Sequence, residues 1–142
     1  MKFTVEGKPQ GKARARTFYN RRLGKMQSIT PEKTVDYEDL VRWSYKAAGG
    51  EYYGRGLFVV HITAVYEVPT SYLKNTREMA LRGEIKPAVK PDIDNIVKSI
   101  LDALNGVAYY DDSEVIGLTA EKMYGENARV VVELKQIKGA EE

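Results

Sequence analysis

The chain has 142 residues, 43% of them hydrophobic and 30% charged, a balance that fits one domain with a modest core. It contains no cysteine and a single histidine, His61, which excludes a disulfide framework, a cysteine nucleophile and any thiolate or histidine-rich metal site. No apolar run has the length of a membrane span, and Met1–Glu6 reads as a strand rather than a signal peptide, so a cytoplasmic protein with no membrane partner is expected.

Net charge is only +2, but it is unevenly placed. Residues 7–31 carry Lys8, Lys12, Arg14, Arg16, Arg21, Arg22 and Lys25 and no acid, so the other 117 residues together carry −5. Basic residues spaced by small ones suit neutralisation of a nucleic-acid backbone; a merely solvated loop is the plainer alternative.

In chain order, residues 2–6 suggest a short strand. Residues 7–30 are glycine-dotted, basic and non-periodic, and predict a long loop with room for an irregular hairpin within it. Thr30 and Pro31 form a helix start, Thr as N-cap and Pro at the first helical position, for a helix running to about Ala48 and stopping at Gly49-Gly50. Leu57–Glu67 is β-branched and apolar, a central strand ended near Pro69. Residues 70–89 predict a short helix or a mobile loop. Asp92 to about Asn105 predicts a second helix, ended by Asn105-Gly106. Residues 114–124 and 128–137 read as two strands of a hairpin turning at Gly125-Glu126-Asn127, and the tail 138–142 is expected to be disordered. This order predicts one α+β domain over 1–142, with a mixed sheet of about four strands packed on two main helices.

The stretch Lys90–Val115 gathers Asp92, Asp94, Asp102, Asp111, Asp112 and Glu114. At about 100° per residue, Asp94, Lys98, Asp102 and Asn105 share one helix face, and Ile93, Ile96, Val97, Ile100, Leu101 and Leu104 share the other. Asp92 after Pro91 suits an N-cap, which lets its side chain converge with that of Asp94. The plain account is that aspartates complement the helix dipole and that Asp94–Lys98 is an ordinary pair worth about 0.2–0.5 kcal/mol. The short link 106–110 suggests more, because it returns Asp111 or Asp112 toward the first two aspartates. Close carboxylates repel by about 4 kcal/mol per pair at 4 Å and an effective dielectric near 20. A hard divalent cation relieves that repulsion, and carboxylates with water are what Mg²⁺ takes.

Other signals are weaker. Gly7-Lys8-Pro9-Gln10-Gly11-Lys12-Ala13 imitates a phosphate loop but has the wrong glycine spacing and no Ser or Thr, so no nucleotide cofactor is expected. His61 reads as a packed or hydrogen-bonded strand residue. Trp43 is expected in the core or at a dimer interface. Tyr109 and Tyr110 offer base stacking, with core packing expected for at least one of them.

The segment K-P-D-I-D-N-I-V-K-S-I-L-D-A-L-N-G, followed by Y-Y-D-D-S-E-V-I, resembles the RusA family of Holliday-junction resolvases. The family pattern is D-x-D-N-x-x-K-x-x-x-D-A-L, an aromatic or apolar pair, then D-D-x-x-V. A weaker likeness covers Gly7-Lys8-Pro9, Lys12, Arg14 and Arg16, then Thr30-Pro31, Lys33, Tyr37 and Glu38. The resemblance implies a homodimeric, Mg²⁺-dependent endonuclease, with Mn²⁺ able to substitute, that cuts four-way DNA junctions symmetrically. It implies catalytic roles for Asp92, Asp94, Asp112 and Lys98. The metal ligands would be Asp92, Asp94 and Asp112, with Asp111 as the alternative to Asp112 and Asp102 in support. DNA contacts are expected from Lys12, Arg14, Arg16, Arg21, Arg22 and Lys25. Pro91 stands where some relatives carry Arg, and Lys90 is expected to take over that phosphate contact. With this residue supply, a metal-activated water is the natural nucleophile for a phosphodiester, and Lys98 a fixed positive charge beside it. The competing readings are a non-cleaving junction-binding dimer and a metal-dependent nuclease for other branched or single-stranded DNA.

Overall fold

The apolar, β-branched run 57–66 forms a strand, and in the computed structural model, which describes residues 1–12, 16–29 and 32–140, burial alternates strictly along it from 56 to 64. Strand β4 (Gly56–Glu67) turns Phe58, Val60, Ile62, Ala64 and Tyr66 into the core. The opposite side chains, Leu57, Val59, His61 and Thr63, lie on a face left partly open. Three further strands complete a mixed sheet, β1 (Lys2–Glu6), β5 (Val115–Gly125) and β6 (Arg129–Gly139), in the order β1-β6-β4-β5.

Two helices cover the apolar face. Helix α1 (Glu32–Ala47) buries Thr34, Tyr37, Val41, Ser44 and Tyr45, a spacing of three and four that defines one stripe. Its other apolar residues face out: Trp43 is 68% exposed, with Val35 and Leu40 also at the surface. Of the two places expected for Trp43, the core or a dimer interface, the first does not hold within this chain, because the buried stripe includes small polar residues that hydropathy alone passes over. The expected cap Thr30-Pro31 lies outside the described residues. Helix α3 (Ile93–Ala103) packs beside α1 and buries Ile96, Ser99, Ile100 and Ala103. The core joins Ile100 and Ala103, with Tyr37, Val41 and Tyr45 of α1, to Phe3, Val5, Phe58, Val60, Ile62, Val130, Val132 and Leu134. The short helix α2 (Lys74–Leu81) occupies the region predicted as a helix or loop and seats Ala80 against Tyr66, Ile96 and Tyr124.

The C-terminal strands depart from the predicted hairpin. β5 pairs parallel with β4, β6 pairs antiparallel with β4, and β4 thus stands between them. A parallel pair requires a crossover, and α2 and α3 together supply it. The turn signal at 125–127 is real, but a turn reports only that the chain reverses, not which strand is its neighbour. β6 also continues through Lys138 and Gly139, opposite Leu57 and Gly56, where disorder was expected; the partner strand gives those backbone groups a place to bond.

The basic segment forms a two-stranded antiparallel ribbon, β2 (Arg16–Asn20) and β3 (Lys25–Ile29). Its turn is closed by Asn20, whose Oδ1 accepts the amides of Arg22 and Leu23 at 3.0 and 3.2 Å. Gly24 sits at φ 63°, where a side chain would be disfavoured. Within the long loop expected over 7–30, the irregular hairpin is this regular ribbon over Arg16–Asn20 and Lys25–Ile29.

Candidate active site

The crossover decides where the acidic residues meet. α3 runs back along the sheet, and its last turn lies beside the entry to β5. Gly106, at φ 73°, turns the chain out of the helix, and its amide donates to Tyr109 O at 2.8 Å. Asn105 Oδ1 then accepts the Asp112 amide at 2.8 Å. Asp112 opens a short 3-10 turn, Asp112–Glu114, that feeds β5. Asp111 precedes it, accepts from the Ser113 amide at 3.0 Å, and has its carboxyl held below the usual range by Ser113.

Asp112 lies half-buried against Asp102 of α3. Burial raises its carboxyl above the ordinary value, the hydrogen-bonded contact with Asp102 raises it further, and the charges of Asp111 and Asp102 add to both; Lys98 opposes them. Lys98 is therefore close enough to act on Asp112, as its place between Asp94 and Asp102 predicts. Asp102 is itself held by Lys12, whose Nζ lies 2.9 Å from Asp102 Oδ2 and 2.8 Å from Glu38 Oε1.

Asp92 and Asp94 occupy the other end of α3. Asp92 has N-cap backbone geometry, but its side chain makes no capping bond. Its Oδ1 instead accepts from Lys90 Nζ at 2.8 Å, and that contact holds its carboxyl below the usual range. Asp94 is exposed, and its Oδ1 accepts the Asn95 amide at 2.9 Å. Eight residues of helix rise separate Asp94 from Asp102, about 12 Å at 1.5 Å per residue. The carboxylates thus form two groups along one helix face, with Lys98 between them. Among the described residues no three acidic or histidine side chains converge where a metal ion could be held. The short link brings Asp112 to Asp102 instead of to Asp92 and Asp94.

The donor set still fits a hard divalent cation in its chemistry. The Asp102–Asp112 contact joins two acceptor groups, and it requires a proton or a cation between them.

The remaining site residues divide clearly. Arg21, Arg22 and Lys25 lie exposed on the β2–β3 ribbon. Arg14 and the side chain of Arg16 lie outside the described residues. Lys12 is engaged by two carboxylates, and Lys90 by Asp92. Tyr109 is fully buried and donates to Leu101 O at 2.7 Å. Tyr110 is 52% exposed, with the Arg55 guanidinium 3.8 Å from its ring centroid. His61 is hydrogen-bonded on the open sheet face, to Thr119 and at 3.3 Å to Thr63. Two contributors went unrecognised in the sequence. Asn105 falls on the Asp94 face of the helix, which is the signal that would have found it. Glu38 has its only sequence signal in the N-terminal likeness, and its part in the site comes from the tertiary fold.

A family model described as "Endodeoxyribonuclease RusA" matches residues 6–135. A Bacillus subtilis (strain 168) protein described as "Uncharacterized protein YqaN" is 33% identical over 139 residues, 96% of each chain. A protein of Lactococcus phage r1t described as "Crossover junction endodeoxyribonuclease rusA" is 35% identical over 49 residues, 34% of this chain and 37% of that one. On the extent of the family match and the full-length relative, this chain belongs to the RusA endodeoxyribonuclease family.

Proposed function

We propose that the protein is a homodimeric, structure-selective endonuclease that resolves four-way DNA junctions by paired phosphodiester cleavage. The observation that supports it best is the Asp102–Asp112 pair beside Lys98, on the same helix face as Asp92 and Asp94. The relative from Lactococcus phage r1t, named a crossover junction endodeoxyribonuclease, agrees with this reading.

Mg²⁺ is the proposed cofactor, as one or two ions: Asp92 and Asp94 would ligate at one carboxylate group and Asp112 at the other, and the metal would supply charge stabilisation at the phosphate and an activated water. Asp111 and Asp102 would stand beside Asp112. Lys98 places a positive charge near enough to act on that carboxylate, where it would stabilise charge developing on a bound phosphate. Arg21, Arg22 and Lys25 on the ribbon would neutralise backbone phosphates and hold the duplex arms. Lys90 would release Asp92 to reach a phosphate. The outward Trp43 and Leu40 of α1 offer an apolar surface for the second copy.

The test is cleavage of a labelled four-way junction against a linear duplex of the same arms, with Mg²⁺ and with EDTA. Paired Mg²⁺-dependent nicks confined to the junction are expected. Binding without cutting would leave a junction-binding protein, and equal cutting of the duplex would discard the junction claim.

A further inference from the structure

We propose that Lys12 and Glu38 form a brace that positions the Asp102–Asp112 pair, so that Lys12 is a positioning residue and not a phosphate contact. The proposal rests on the nuclease reading of that pair.

Lys12 belongs to the basic segment but points inward. Its ammonium bridges Glu38 and Asp102 at 2.8 and 2.9 Å, and all three side chains are only 12–25% exposed. Burial is the largest single influence and works against its charge, yet the hydrogen bonds it donates to Glu38 and Asp102, with the charges of both, together outweigh burial and raise its pKa. Glu38 is held in turn by Arg42, at 3.2 Å, and Arg42 Nε donates to Ala103 O at 3.0 Å at the end of α3. The row Arg42, Glu38, Lys12, Asp102 alternates in sign and ends at Asp112.

The backbone is fixed at the same point. The Lys12 amide donates to Asn95 O at 3.1 Å, and Ser99 Oγ donates to Gln10 O at 3.0 Å. Gly11 lies so close to α3 that a Cβ there would meet Asn95 Cβ at 2.9 Å and Pro91 Cβ at 3.0 Å. The root of the basic segment is therefore joined to the flank of α3 beside the face that carries Asp94, Lys98 and Asp102.

The physical consequence is specific. Asp102 is pressed against a second carboxyl, and without a cation on its other side it would turn to solvent. A lysine holding two partly buried carboxylates would have to abandon both to reach a phosphate, leaving them uncompensated.

The experiment compares Lys12→Met, Lys12→Arg and Gly11→Ala with the wild-type chain. Expected for Lys12→Met is a fall of about 10- to 100-fold in the single-turnover cleavage rate at saturating junction and Mg²⁺, since a misplacement of about 1 Å at a reacting group costs up to about 10²-fold. Junction affinity in EDTA, and its dependence on salt, should match wild type. Lys12→Arg should restore the rate, and Gly11→Ala, which changes no charge, should reproduce the loss. Hydrogen exchange at the Lys12 amide should quicken in Lys12→Met with no DNA present. A salt slope smaller by about one would make Lys12 a phosphate contact and overturn the proposal, as would an unchanged cleavage rate. If the wild-type chain neither binds nor cuts junctions, the nuclease reading fails separately. Amide exchange then decides the brace: faster exchange keeps it, and unchanged exchange removes it.

Discussion

The carboxyl groups of Asp102 and Asp112 touch across the junction between α3 and β5, one from the end of a helix and one from the turn that opens a strand. Like charges at that separation oppose folding unless a proton or a cation intervenes. The pair is therefore held in place by the fold at a cost in stability, which is a feature of sites kept for function.

Asp112→Asn tests that cost. The substitution keeps the shape and removes the repulsion, so the melting temperature should rise by about 2–4 °C at neutral pH, the shift expected for about 1 kcal/mol in a chain of this size. Cleavage should be lost. The sign follows from the direction of the shift. A carboxyl raised in the folded state opposes folding where it is ionised, and the penalty disappears as pH falls through the carboxylate range and the group is protonated. The gain over wild type should therefore shrink on acidification. A lower melting temperature at neutral pH would show that Asp112 serves the fold.

Asp92→Asn and Asp94→Asn should behave differently. Both residues are exposed at the start of α3, so stability should stay within about 0.5 kcal/mol of wild type. Cleavage should fall by about 10² or more, with junction binding kept or improved, because removing acid lowers repulsion of DNA. Loss of binding measured by gel shift would argue that the two aspartates shape the surface and not the chemistry.

The ribbon makes an ionic prediction. Arg21→Ala combined with Arg22→Ala should weaken junction binding and reduce the slope of log affinity against log salt by about 2, one unit for each phosphate contact removed. A titration series from low to high salt reads the slope directly. Unchanged slope and affinity would return the ribbon to a solvated loop.

The outer face of α1 makes an assembly prediction. Trp43→Lys should convert a dimer to a monomer in sedimentation velocity, because burying an unpaired charge at an apolar contact is strongly unfavourable. Sedimentation of the wild-type chain as a monomer would remove the dimer proposal itself.

Much of this was legible in the residues alone. The periodicity of 92–105 placed α3 to within two residues, β-branched runs placed β4, and the row Asp94, Lys98, Asp102 correctly gave one polar face. These are local properties, set by the 3.6-residue turn of a helix and the two-residue repeat of a strand, and they are written in adjacent side chains. The charge asymmetry and the acidic motif were equally visible, and the family match over 6–135 agrees with the motif. What only the tertiary structure decided was which groups meet. Insertion of β4 between β5 and β6 could not be read from a turn at 125–127. The parallel crossover carries Asp112 to the C-terminal end of α3, so its partner is Asp102, about 12 Å along the helix from Asp94. Lys12 sits in a basic segment that by charge alone suits DNA contact, but the approach of Gly11 to α3 places it between Glu38 and Asp102. Contacts between residues far apart in sequence are fixed by chain packing as a whole, and single-residue chemistry determines only what they can do once they meet.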